Sequence, residues 1–466
     1  MRRNLYVGAA LGATLIALGV ASAVLEKRAV VQAAGTQAPK FEVDPMWPKP
    51  LPNHWVMGNV IGVSVDAQDH IWIIHRQGSL EAMELYGVAN PPPGANKRAN
   101  GKVESECCAP APPVLCFDEA GNLLKSWGGQ DGDGYVWPES NHGIFVDFKG
   151  NVWIGGNGGT PGATLPAPGG RGRAGAARGA APPPGRAGGT EDESQPAAGR
   201  GRGRGGPPLY HDSMVLKFTQ DGKFLMKIGN AGQSKGSNDT ENLGRPAKLY
   251  VDPKANELYV ADGYGNKRVI VFDAETGKYK RHWGAFGHVP DDTPGAGLAH
   301  PGGYNPDDPE DQQFRNPVHC AELSHDGMVY VCDRPNDRIQ VFKPDGTYVK
   351  EKILYKDTLG DGSVWDIAFS KDPAQKYIYL ADGANEKIHI LDRESLEVVA
   401  SFGDGGRQPG EFYAVHSIAT DSKGNIFTTE TYRGQRVQKF VYKGLGGVVK
   451  TDEGVLWPKT AKSPLQ

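Results

Sequence analysis

The stretch His142-Gly143-Ile144-Phe145-Val146-Asp147, followed by the turn Phe148-Lys149-Gly150-Asn151 and then Val152-Trp153-Ile154, reads as two short strands around an Asp-x-x-Gly turn. After a long insertion the pattern resumes with Met214 to Phe218, a Gln220-Asp221-Gly222 turn, and Lys223 to Gly229. Four short strands joined by Gly/Asp turns are the unit of a β-propeller blade. The unit recurs from Ala247 to Gly284, from Val318 to Ile353 and from Val364 to Gly403. A copy nearer the N-terminus spans Ile61 to Arg76 and resumes from Pro113 to Gly128, and a last copy starts at Val415 and continues through Phe427 and Phe440. The spacing therefore predicts an all-β fold, a six-bladed propeller with four-stranded antiparallel blades over residues 59–443. Six units of one kind favour a closed ring, because closure leaves no exposed sheet edge. The sixth lacks a fourth strand of its own, and either Lys40 to Met46 or Gly447 to Thr451 is available to supply it.

In a propeller the first strand of each blade lines the central channel, so equivalent positions meet around the axis. Counting back equally from the first turn places Ile61, His142, Ala247, His319, Trp365 and His416 at one level. Histidine occupies blades two, four and six, and His142, His319 and His416 precede Gly150, Gly327 and Gly424 by one common interval. Alternate blades of six stand about a third of a turn apart. Three imidazoles then converge on one axial point, the trigonal face that a zinc ion with an open fourth position requires. A single inward histidine is usually a satisfied core residue, but three in phase point to a metal.

The phased histidines, with Ile74-His75-Arg76-Gln77-Gly78, Asp262-Gly263-Tyr264-Gly265-Asn266, Asn316-Pro317-Val318-His319 and Cys332-Asp333-Arg334, resemble the catalytic domain of peptidyl-α-hydroxyglycine α-amidating lyase, a propeller of NHL-type repeats. The resemblance runs from about Ile61 to Phe440. It implies a channel zinc held by His142, His319 and His416, a tyrosine base at Tyr264, and substrate-side arginines at Arg76 and Arg334. It also implies cleavage of an N-acyl-α-hydroxyglycine, small or peptidyl, to an amide and glyoxylate. Where that family has a methionine shortly before the last zinc ligand and a calcium-binding aspartate just after it, this chain has Ala414 and Ser417. Asp366, next to Trp365 in the neighbouring blade, could compensate as a calcium ligand. Two other classes stay open: a lactonase-type propeller, whose calcium sites use carboxylate and amide oxygens where this level offers imidazoles, and a non-catalytic scaffold without metal.

The flanks and insertions complete the reading. Arg2 and Arg3 precede an apolar run from Leu5 to Leu25, with Ala21-Ser22-Ala23 or Val31-Gln32-Ala33 as cleavage sites. Residues 1–34 are thus an export signal or a retained membrane anchor through residues 5–25, which sends the folded part to the periplasm or the exterior. Residues 35–58 read as an N-terminal extension and 444–466 as a tail. The Gly/Ala/Pro/Arg tract at 155–208 cannot bury enough apolar surface to fold and is expected to be disordered. Glu81 to Pro112 and Gly287 to Gln313 are insertions expected to rim the site. The 466 residues carry a formal net charge of -3, which argues against nucleic acid as a partner. Of five cysteines, Cys320 and Cys332 fall nearly opposite one another, either as a cross-strand disulfide or as two small buried residues.

Overall fold

The computed structural model describes residues 35, 37–92, 101–158, 212–452 and 454–458. The proposed signal or anchor and nearly all of the 155–208 tract lie outside the described residues. Among those described, no helix is long and apolar enough to cross a membrane. The chain forms six four-stranded antiparallel sheets, together with one small parallel pair, Trp55–Val56 with Ala109–Pro110. From channel to rim, blade one is Asn59–Val65, Ile71–Arg76, Val114–Phe117 and Leu123–Trp127, and blade two is Asn141–Val146, Val152–Gly156, Met214–Phe218 and Phe224–Ile228. Blade three is Leu249–Asp252, Glu257–Asp262, Arg268–Asp273 and Tyr279–Trp283; blade four is Val318–Leu323, Val329–Asp333, Arg338–Phe342 and Tyr348–Ile353. Asp366–Phe369, Tyr377–Asp382, Lys387–Asp392 and Val398–Phe402 make blade five.

Blade six joins the two ends of the chain. Its inner strands are Val415–Thr420, Ile426–Glu430 and Val437–Gly447, and its outermost strand is Gln37–Asp44, paired antiparallel with Phe41 opposite Tyr442 and Val43 opposite Phe440. Of the two candidates for the closing strand, the N-terminal one is used, so part of the 35–58 segment is propeller. The segment after Gly447 packs back instead: Thr451 O accepts the Ser401 N–H at 2.7 Å, and Leu456 exchanges main-chain hydrogen bonds with Phe41 and Val43.

The turn chemistry explains the repeat. Asp147 Oδ1 accepts the Asn151 N–H at 2.8 Å, and its Oδ2 accepts the indole N–H of Trp153 at 2.9 Å. Gly150 closes the turn at φ 79°, a left-handed conformation that glycine adopts without steric cost. Asp66 holds Trp72 in the same way. Six buried apolar clusters fill the six junctions between adjacent blades; Trp72 and Ile74 of blade one, for instance, meet Ile144, Val152 and Leu216 of blade two. Because alternate side chains of a strand face opposite neighbouring blades, a middle strand such as Glu257–Asp262 is buried along its whole length. Cys320 and Cys332, paired in register, form a disulfide; Cys107 and Cys108 form another, and Cys116 is a buried thiol.

Candidate metal centre

Antiparallel alternation puts the start of every first strand, the loops between second and third strands, and the connections between blades on one face of the ring. The opposite face carries the short Asp/Gly turns. The strands that end at Arg76, Gly156 and Trp283 therefore end on the face where the three histidines begin their strands.

His142, His319 and His416 are 1%, 2% and 1% exposed, and their ligating atoms lie within 4.8 Å of one another. Each ring is oriented by the neighbouring odd-numbered blade at the same level. His142 Nδ1–H donates to Ala247 O at 3.0 Å, His319 Nδ1–H to Trp365 O at 2.5 Å, and His416 Nδ1–H to Ile61 O at 2.9 Å. A carbonyl only accepts, so Nδ1 carries the proton in all three, and the neutral ring presents the Nε2 lone pair. Such a fixed tautomer is what an orienting partner gives a metal-binding imidazole. Burial, then the neighbouring His416, Arg334 and His142, hold His319 well below its ordinary pKa, which keeps it in the neutral form that binds metal.

Local backbone geometry aims these rings. The pairing register of the first strand shifts at His142/Ile144, at Val318/Cys320 and at Val415/Ser417, so each histidine sits at a β-bulge. A bulge breaks the simple alternation of side chains and re-aims one of them.

Tyr264 leaves the end of the second strand of blade three and is 6% exposed. Its hydroxyl lies 3.1 Å from both His142 Nε2 and His319 Nε2. A phenol has one proton and can donate to only one of two converging lone pairs. A cation would satisfy both, so this donor set fits a metal. Arg334 is fully buried, with its guanidinium carbon 4.2 Å over the Trp365 ring and 6.0 Å from the Tyr264 ring, and its Nη2 stands 3.3 Å from Asp361 Oδ1. Arg76 follows His75 in blade one as Arg334 follows Asp333 in blade four, with Val60 paired to His75 and Val318 to Asp333, and it is half-buried. Its Nε–H donates to Asn141 O at 3.1 Å and its Nη2–H to Asn157 Oδ1 at 3.0 Å.

Two further groups were not legible from the repeat. Arg245, in the connection into blade three, places its guanidinium carbon 5.7 Å from the Tyr264 ring. Lys248 bridges blades three, four and five, its Nζ 2.6 Å from Asp366 Oδ1 and 2.8 Å from Glu322 Oε1, while Ser417 Oγ–H donates to Asp366 Oδ2 at 2.8 Å. Burial alone would lower the Lys248 pKa, but the two carboxylates outweigh it and raise it. Lysine next to Ala247 was a weak signal in sequence; its partners come from two other blades.

Residues 243–272 match the NHL repeat family model. Peptidyl-glycine alpha-amidating monooxygenase B of Xenopus laevis is 31% identical over 128 residues, 27% of this chain and 12% of that protein. The corresponding monooxygenase of Mus musculus is 29% identical over 121 residues, 26% of this chain and 10% of that protein. The chain thus spans about a tenth of the length of these relatives. NHL repeat-containing protein 3 of Mus musculus is 22% identical over 344 residues, covering 71% of this chain and 73% of that one. A streptogramin B lyase structure aligns with a TM-score of 0.43 at 12% identity, covering 88% of this chain and 99% of that one.

Proposed function

We propose that this chain is an exported, zinc-dependent lyase that splits an N-acyl-α-hydroxyglycine into an amide and glyoxylate. The observation that carries the reading is the ring of three buried, carbonyl-oriented imidazoles with a tyrosine hydroxyl 3.1 Å from two of them. The local identity to amidating monooxygenases supports it. His142, His319 and His416 would hold the zinc. When bound, zinc supplies Lewis acidity toward the carbinol oxygen, leaving one coordination position open.

The chain's own residues supply the rest. The Tyr264 oxygen takes the carbinol proton as the O–H electron pair becomes the second bond of the new C=O. The C–N pair leaves with nitrogen, which recovers a proton from Tyr264, so the products are a neutral amide and the glyoxylate anion. The buried charge of Arg334 stabilises the negative charge that must reside on the Tyr264 oxygen before transfer. Arg76, half-buried beside the start of the first strand of blade two, would meet the substrate's carboxylate.

Calcium is not part of the proposal, because the donor set does not fit it. The ammonium of Lys248 already lies between Asp366 and Glu322, so these two wall carboxylates share a cation supplied by the chain itself. The same ion pairs disfavour the lactonase-type reading, which needs oxygen ligands for calcium.

The test is metal analysis of the purified protein together with a glyoxylate assay on N-acetyl-α-hydroxyglycine, with and without a chelator. The expected result is about one zinc per chain, as a single three-histidine site implies, and chelator-sensitive glyoxylate release. His319→Ala should lose both, because neither neighbouring blade offers an imidazole at that level. Metal without glyoxylate would reject the lyase chemistry, and absence of metal would favour the scaffold.

A further inference from the structure

We infer that Lys248 is a positioning residue for the metal centre: its ammonium ties together the blades that orient the three histidines, and zinc affinity depends on that tie. The inference rests on the three-histidine zinc reading above and is independent of the lyase chemistry.

The tie follows from where the chain runs after the residues of the histidine level. Ala247 O orients His142 and Trp365 O orients His319, and the residues next in sequence are Lys248 and Asp366. Ser417 follows His416 in the same way. A strand advances about 3.3 Å per residue, so Lys248, Asp366 and Ser417 stand one step farther toward the face of the Asp/Gly turns.

Lys248 Nζ–H donates to Asp366 Oδ1 at 2.6 Å, and Nζ lies 2.8 Å from Glu322 Oε1. Asp366 Oδ2 accepts Ser417 Oγ–H at 2.8 Å and the Ile418 N–H at 3.0 Å. One cation thus joins blade three to blades four and five, and Asp366 carries the tie on to blade six. The first strand of a blade has no strand beyond it on the channel side, so an inward N–H such as that of Ile418 needs a partner from another blade. Asp366 supplies it, which fixes the main chain two residues beyond His416.

Burial makes these contacts a matter of geometry more than of stability. The side chains of Lys248 and Glu322 are 11% exposed and that of Asp366 is 1% exposed. Ions so far from water lose about as much in desolvation as they gain from one another, and the best-attested use of such a pair is to fix the register of the elements that carry it. Here the register is that of Ala247 O relative to Trp365 O, on which the orientations of two ligand imidazoles depend. Charge alone gives the opposite sign. A positive group beside a cation site disfavours the metal, so removal of Lys248 should tighten zinc if the residue were a mere neighbouring charge and loosen it if the residue holds the ligands in place.

Competition of the purified protein with a chromogenic zinc chelator, and the visible spectrum of the cobalt(II)-substituted protein, read the site without turnover. Lys248→Met should weaken zinc binding by roughly 10- to 100-fold, the scale for loss of an orienting partner, and should shift the cobalt bands, which report ligand geometry. Lys248→Arg keeps the charge and should recover part of the affinity. Phe41→Ala controls for general destabilisation, since Phe41 lies on the outermost strand of blade six; its zinc affinity should stay within about twofold of wild type, as for an independent distant site. Should Lys248→Met not fold, Ser417→Ala removes one hydrogen bond to Asp366 without stranding a buried charge, and should weaken zinc by about fivefold. Unchanged or tighter zinc binding in Lys248→Met, or in Ser417→Ala where that variant stands in, overturns the inference, and so does an equal loss in Phe41→Ala. A wild-type protein that binds no zinc sinks the metal reading itself, and the inference with it.

Discussion

At the scale of single residues, the site depends on atoms that orient the ligands as much as on the ligands. Gly143 shows this. It has φ +70°, and a Cβ there would fall 2.4 Å from Ala247 O, the acceptor that fixes His142. Gly143→Ala should therefore weaken zinc binding by roughly 10- to 100-fold while leaving all three histidines in place, as losses of orienting partners do; competition with a chromogenic chelator reads this directly. Tyr264→Phe should retain zinc and lower turnover by about 10²- to 10⁴-fold, the usual scale for a lost proton-transfer group. Full activity in that variant would remove Tyr264 from the mechanism. His75, which precedes Arg76, gives a pH signature. Its Nδ1 accepts the Gly58 N–H at 3.2 Å and its Nε2–H donates to Pro112 O at 3.1 Å, so the ring is built in neutral. Burial lowers its pKa to about 4, against hydrogen bonding to Pro112 and Ala111 that works the other way. The unfolded chain takes up this proton near pH 6.5 and the folded one only near pH 4, so stability present above pH 6.5 is lost as the pH falls through that window. The loss should be on the order of 3 kcal/mol by pH 4, and His75→Gln should flatten that part of the urea-unfolding profile between pH 7 and 4.

At the scale of elements, the decisive strand is Gln37–Asp44. Its pairing with Val437–Gly447 turns an open array of sheets into a ring, and Phe41 anchors it, 3% exposed, with its ring 5.4 Å from Tyr379, 5.5 Å from Phe402 and 5.9 Å from Tyr442. Phe41→Ala should cost about 3–5 kcal/mol in urea unfolding, the range for truncating a buried aromatic. A cost below about 1 kcal/mol would mean that the strand adds little to closure, since surface substitutions fall in that range. The bulges at the three histidines are the other element-scale device. They let a strand buried on both faces turn one polar side chain toward the axis without breaking its pairing farther along.

At the scale of the whole molecule, blades are coupled through the axis as well as around the ring. Lys248 ties blades three, four and five through Glu322 and Asp366, and Ser417 of blade six joins them through Asp366. Lys248→Met leaves two buried carboxylates facing each other and should destabilise the protein by roughly 3–5 kcal/mol, as removal of one partner from a buried ion pair does. With Lys248 present, a calcium-selective chelator should leave the thermal midpoint unmoved. A large drop on chelation would show that an oxygen-liganded cation is held elsewhere.

The periodic features of this protein were readable from its sequence, because each blade repeats one backbone path and so brings equal sequence intervals to equal heights. That is why the six blades, the level shared by Ile61, His142, Ala247, His319, Trp365 and His416, and the in-phase histidines emerge from counting alone. Tyr264 and Arg334 stand two residues and one residue beyond the end of a second strand and were reached through the resemblance. Closure was not decided in sequence, since Lys40 to Met46 and Gly447 to Thr451 are both fit to form a strand, and only three-dimensional proximity selects the partner of Val437–Gly447. Arg245, Asn157 and Lys248 were hidden for a related reason. Arg245 and Asn157 lie in connections whose lengths differ from blade to blade, and Lys248 finds its partners 74 and 118 positions away, as the separations to Glu322 and Asp366 show. Periodicity fixes where a strand stands, whereas contacts between side chains of different blades depend on the ring being closed.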